Sequence, residues 1–299
     1  MKYLTIDIGG THIKYALMTD QADILDSGIT TTLYDLDKFL QQILSIIKSY
    51  KHKIEGVAMS CPGTIDVSTG LVTHAGQLTF LNNTNLIDFV KDQTDLPATV
   101  MNDAKSAVLA ELWKGNLKGV ENGLLLTLGS GLGGGLIING ELYLGSSSQA
   151  GEVSFMMSDP SDFTMKNSIG SFASAVQFIN QAADLLKLPN KNDGKTVFNA
   201  IKNDINTEVT QLFKDYCLRI AYLIHNIQML LNMTHVVIGG GISKQPILIR
   251  EINQQYHFLH QQNNIISSQF DEVVINHCAF HNDSNLIGAL FYYLSIHNK

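Results

Sequence analysis

Twice in this chain of 299 residues, an apolar strand, a glycine-rich turn and a second apolar strand open a run of alternating helices and strands. The first copy reads Leu4-Thr5-Ile6-Asp7-Ile8, then Gly9-Gly10-Thr11, then His12 to Leu17. Alternating apolar runs around such a turn predict a β-hairpin. A third strand is expected at 24–33, a helix from Leu36 to Ile47, strands at 56–60 and 98–101, and a helix over 104–113. The second copy starts with a strand at 124–128, a turn over Gly129 to Gly135, a return strand at 136–139 and a third strand at 142–144. Helices follow at 168–186, 196–203 and 207–231, with another at 247–257. Strands are expected at 235–238 and 273–275, and a last helix from Asn285. This internal duplication predicts two α/β lobes around a central cleft, with the two glycine hairpins facing each other. Gly, Asn and Lys interrupt the apolar pattern between Gly115 and Glu121. The expected division is therefore 1–117 and 118–284, with the last helix, 285–299, packing back on the first lobe.

Composition excludes several functions. A 45% hydrophobic content supports a large core, and the net charge of −7 without a basic run gives a nucleic-acid partner no electrostatic footing. No apolar run approaches the length of a membrane span, and the N-terminus carries no signal-peptide pattern. Cys61, Cys217 and Cys278 are far apart and form no CxxC pair, as expected of buried thiols in a reducing compartment. A cytoplasmic protein without nucleic-acid or membrane partners is expected.

Chemistry is concentrated in a few motifs. Gly9-Gly10-Thr11 reads either as an ordinary turn or as a phosphate site. In the second reading bare amides and the Thr11 hydroxyl meet oxygens, with Lys14 adding charge and Asp7 holding Mg²⁺ through water. The second turn holds five glycines in the seven residues from Gly129 to Gly135, including a formal GxGxxG. A strand rather than a helix follows it, so the dinucleotide fingerprint fails and phosphate contact by Gly129, Ser130, Gly131, Gly133 and Gly134 remains. No Walker-type motif occurs. Gly239-Gly240-Gly241, between a strand and a helix, is either a tight turn or a surface for a flat ring. Asp103 reads as a helix N-cap, as a general base at a strand end, or as both. Glu152 reads as a solvated carboxylate or a second cleft carboxylate.

Taken in order, Asp7-Ile8-Gly9-Gly10-Thr11…Lys14, Cys61-Pro62-Gly63, Asn102-Asp103-Ala104, Leu128 to Gly135 and Ile238 to Gly241 resemble the ROK family over essentially the whole chain. That family comprises bacterial sugar kinases and sugar-responsive repressors in the actin-like ATPase superfamily. The resemblance implies duplicated ribonuclease H-like lobes and ATP- and Mg²⁺-dependent phosphorylation of a sugar hydroxyl. The acceptor would be the 6-OH of a hexose, hexosamine or β-glucoside. It places Asp7 to Lys14 and Gly129 to Gly134 on phosphates, Gly239 to Gly241 on adenosine, and Asp103 as catalytic base. Asn102, Asp103 and Glu152 fall on the sugar with Gly63 at its edge, Gln77, Phe80 and Asn82 would line the enlarged pocket of a β-glucoside kinase, and a homodimer is expected. The chain departs from the pattern at Phe155, where many members carry a histidine, and over 156–170, where their cysteine-rich zinc loop has no counterpart. No zinc is expected, and the zinc-free β-glucoside and N-acetylmannosamine kinases are the most similar branch. A second reading within the family is a sugar-responsive regulatory or binding protein without turnover.

Overall fold

The computed structural model describes residues 1–297, so the end of the expected last helix, 298–299, lies outside the described residues. The chain folds into two compact units. Unit one comprises residues 1–115, 142–150 and the C-terminal stretch from Asp283, and unit two comprises 116–141 and 151–282.

Unit one begins with β1 (Lys2–Ile8), β2 (His12–Thr19) and β3 (Ile24–Thr31), a meander of antiparallel neighbours. The helix α1 (Leu36–Tyr50) starts where the Asp35 side chain accepts from the Lys38 amide at 3.0 Å. Its Phe39, Ile43 and Ile47 recur at helical spacing and are fully buried, each contributing about 1.5–3 kcal/mol of transfer free energy. Next comes β4 (Val57–Cys61), every residue of which is buried, as a parallel interior strand requires. Three short strands, β5 (Thr64–Asp66), β6 (Leu71–His74) and β7 (Thr84–Asn85), form a small antiparallel sheet absent from the sequence reading. Then follow α2 (Leu86–Thr94), β8 (Ala98–Asn102) and α3 (Asp103–Lys114). The main sheet has the order β3-β2-β1-β4-β8, with β1, β4 and β8 parallel.

The second half begins with β9 (Gly123–Leu128), β10 (Leu132–Ile138) and β11 (Glu141–Tyr143). Four helices follow: α4 (Ile169–Phe172), α5 (Ala175–Leu185), α6 (Gly194–Lys202) and α7 (Thr207–Leu231). The single helix expected over 168–186 is divided because Ser174 leaves helical geometry to cap α5. The chain continues through β12 (His235–Gly239), α8 (Pro246–Gln261), the short α9 (Asn264–Gln269) and β13 (Val274–His277). The second sheet runs β11-β10-β9-β12-β13, the first order repeated. The last helix, α10 (Ser284–His297), belongs to unit one and packs on α3. Phe291 stacks on Trp113 with centroids 5.2 Å apart. Gly288 lets the two backbones meet, since a β-carbon there would overlap the Ser106 carbonyl oxygen.

Among the described residues no helix is long and apolar enough to cross a membrane.

Candidate active site

In unit one the candidate residues collect at the carboxyl ends of β1, β4 and β8, where open α/β sheets place ligands. Asp7 pairs across the ladder with Lys14 on β2 and lies beside Ser60 on β4. Only 8% of Asp7 is exposed. Burial pushes its carboxyl above the usual carboxylate range, against a hydrogen bond from Asn285 and the Lys14 charge, which pull it down. The Asn285 Nδ2 donates to Asp7 Oδ1 at 3.0 Å. One carboxylate at a strand end suits a cation that arrives with a nucleotide and keeps most of its water. Among the described residues there is no cluster of three metal-ligating side chains.

The hairpin turn is held from outside. The Gly9 amide closes it onto the His12 carbonyl at 3.0 Å, and a β-carbon on Gly9 would lie 2.8 Å from that oxygen. The Thr32 hydroxyl donates to Gly9 O and the Tyr34 hydroxyl to Gly10 O, both at 2.7 Å. Thr11 at the tip is exposed.

At the other end of the same strand row, Asn102 rather than Asp103 caps α3. The Asn102 Oδ1 accepts from the Lys105 amide at 3.1 Å, and its Nδ2 donates to Gly63 O at 2.9 Å. The N-cap reading of Asp103 is therefore corrected: Asp103 is the first residue of the helix itself. The reason is geometric, since Asn102 keeps extended backbone while Asp103 already has helical geometry. The half-buried Asp103 carboxylate accepts from the Ala104 amide at 2.8 Å. Both Asp103 and Asp7 add to the burial that pushes the Cys61 thiol up, so both charges lie within electrostatic reach of the end of β4. Gly63 (φ 96°) passes so close to His74 and Ala75 that no side chain fits. Asn82 Oδ1 accepts from the Ala75 amide at 2.9 Å, fastening this loop from its far side.

In unit two the glycines divide into two kinds. The β9–β10 turn is confined to Gly129-Ser130-Gly131, closed by the Gly129 amide on Gly131 O at 3.0 Å. Gly133, Gly134 and Gly135 already belong to β10, which corrects the seven-residue turn expected from the sequence. Gly134 is needed for packing, because a β-carbon there would overlap the Gly151 carbonyl oxygen. That contact seats the half-buried Glu152 beside β10. Gly131, by contrast, borders open space. The helix α5 pins the turn: Ala175 N–H donates to Gly129 O at 2.9 Å and Ser174 Oγ to Ser130 O at 2.8 Å. Gly239 pairs with Thr127, and Gly240 (φ 92°) lies against the Leu128 carbonyl, so the third glycine turn adjoins the second. Gly241 also borders open space and opens a 3-10 turn to Lys244. All three glycine turns are legible in the sequence, whereas Thr32, Tyr34, Ser174 and Asn285 are not, because their polar side chains carry no local signal of their distant partners.

A model of the ROK family matches residues 3–295. The chain belongs to the ROK family. A β-glucoside kinase of Listeria monocytogenes is 30% identical to this ROK protein over 100% of the chain and 99% of its own length. An N-acetylmannosamine kinase of Yersinia pestis is 26% identical over 81% of the chain and 83% of its own. A ROK family protein of Streptococcus pneumoniae, solved in complex with sucrose, superposes with a TM-score of 0.89. It is 26% identical, covering 100% of this chain and 99% of that one. The actin-like fold implied by the family resemblance is thus the fold of this ROK protein.

Proposed function

We propose that this ROK protein, a carbohydrate kinase, transfers the γ-phosphoryl group of ATP to the 6-hydroxyl of a hexose, hexosamine or β-glucoside. A β-glucoside is favoured by the full-length likeness to a β-glucoside kinase. The observation that carries the reading is the pair of strand-end carboxylates, Asp7 and Asp103, at the two ends of one row of β-strand termini.

The two carboxylates differ in setting, and so in role. Asp103 at the head of α3 is half-buried and oriented by the Ala104 amide. It accepts the proton of the attacking sugar hydroxyl, which general-base catalysis values at about 10²–10⁴ in rate. Asp7 is buried and anchored by Asn285. It would hold Mg²⁺, which when bound neutralises charge between the β- and γ-phosphates. Gly10, Thr11 and Lys14 would receive phosphate oxygens from unit one. Gly129, Ser130 and Gly131 would do so from unit two, with Gly133 and Gly134 supporting that turn from β10. Gly239 to Gly241 would lie under the adenosine. Gly63, Asn82, Asn102 and Glu152 would hold the sugar ring, Asn102 doing so while it ties Gly63 to the start of α3.

A panel of glucose, N-acetylmannosamine, cellobiose and aryl β-glucosides, read as sugar-dependent ADP release, tests this. Phosphorylation of at least one is expected. If none stimulates ADP formation, the kinase reading gives way to that of a sugar-binding protein without turnover.

A further inference from the structure

We propose that unit two carries an anion-binding groove, separate from the β9–β10 turn, that takes a small phosphate monoester. A cavity of about 780 Å³ opens between the 3-10 turn at Gly241–Lys244, the first half of α8 and strand β13. That volume suits a sugar phosphate or a mononucleotide.

The lining is one-sided in charge. Lys244, Arg250, His277 and His281 all face it, and no carboxylate is among its described lining residues, in a chain whose net charge is −7. An isolated basic lining in an acidic protein concentrates positive potential where low-dielectric walls focus it. The two imidazoles lie nearly parallel, 11° apart with centroids separated by 5.7 Å. His281 is held there at φ 49°, in the left-handed region that disfavours a residue with a side chain. Such a backbone persists only where its surroundings enforce it. The start of α8, at Pro246, has no side-chain cap and borders the same space, adding the positive end of a 16-residue helix.

The groove is also built rather than incidental. Asn253 Nδ2 donates to Ile249 O at 2.8 Å and to Ile275 O at 3.1 Å, which fixes α8 against β13. Ser243 lines the groove, and both its amide and its hydroxyl donate to the Gly240 carbonyl, at 3.1 and 2.8 Å. The groove and the third glycine turn therefore share a wall, and an occupant of the groove bears on that turn. A guanidinium, an ammonium and two imidazoles around one cavity match the three oxygens of a phosphate monoester.

The test is titration calorimetry of the full chain with a hexose 6-phosphate, AMP and inorganic phosphate, each with and without saturating AMP-PNP. One ester site per chain is expected to persist in the presence of AMP-PNP. It is expected to weaken about tenfold or more in Arg250→Ala and further in the Arg250→Ala/His277→Ala pair. Both side chains are exposed, and unchanged thermal unfolding will confirm that the variants fold. Tighter binding of the hexose phosphate or of AMP identifies the source of the ester. The proposal is overturned if neither ester binds or if AMP-PNP abolishes binding. It is equally overturned if the double variant binds as the parent does, or if inorganic phosphate binds as tightly as either ester.

Discussion

Asn285, near the start of the last helix, donates a 3.0 Å hydrogen bond to Asp7 at the end of the first strand. The bond spans 278 positions of sequence and secures the carboxylate that the proposed mechanism assigns to the metal. Asp7 is nevertheless buried deeply enough that its carboxyl titrates above its ordinary range. The protein thus tolerates a costly buried carboxyl at its site, a common trade of stability for function.

That trade has a pH signature. A carboxyl whose folded pKa is raised costs stability wherever both states are ionised, and costs nothing below the unfolded value of about 3.8. Asp7→Asn is therefore expected to raise Tm at pH 7, with the gain shrinking as pH falls toward that value. Thermal scans across this range will show it. A Tm lowered at pH 7, or a gain that does not vary with pH, refutes the account.

Asp103→Asn is expected to retain nucleotide and sugar binding while lowering turnover by about 10²-fold or more. The amide keeps an oxygen for the Ala104 N–H, so helix α3 stays intact. Calorimetry for binding and coupled ADP release for turnover separate the two effects. Turnover near that of the parent would remove Asp103 from the role of base.

Asn102 serves two partners, and two variants divide them. Asn102→Ala loses the cap on Lys105 N and the tie to Gly63, with about 1 kcal/mol of stability lost with the cap. Asn102→Asp keeps the cap but not the donor to the Gly63 carbonyl. Its expected outcome is near-parent stability with a raised sugar KM, and an unchanged KM would show that the Gly63 tie does not shape the sugar site.

The glycines of unit two should respond unequally. Gly134→Ala puts a β-carbon onto the Gly151 carbonyl and is expected to cost about 1–3 kcal/mol, seen in denaturant unfolding. Gly131→Ala meets open space and should leave stability nearly unchanged while weakening AMP-PNP binding. Equal losses of stability in the two would contradict the division into packing and ligand-facing glycines.

Elemental analysis is expected to find no stoichiometric zinc. Residues 156–170 contain no cysteine, and the three cysteines of the chain are all buried and far apart in sequence. One zinc per chain would overturn this.

Much of the architecture was legible locally, because strand alternation and the 3.6-residue period are properties of neighbours along the chain. The strand–turn–strand copies at Asp7 and at Gly129 made the duplication legible, and the structure adds that the two sheets share one strand order. Glycine identity was legible too, but its purpose was not. A glycine in a turn and a glycine under a crossing backbone look alike in sequence, so Gly134 read as loop until the Gly151 carbonyl stood over it. The small β5–β7 sheet escaped notice because strands of two to four residues carry no period to detect.

What the sequence determined by itself was the repeated α/β plan, the three glycine turns and the identity of the candidate carboxylates. All of these follow from residue type and short-range spacing. Only the tertiary structure decided which residue caps α3, which glycines are spared a side chain for packing, and that Asn285 serves Asp7. It also brought Lys244, Arg250, His277 and His281 to one groove. Those outcomes depend on where distant segments return to meet one another, and that is settled by burial and hydrogen-bond closure over the whole chain rather than by any local pattern.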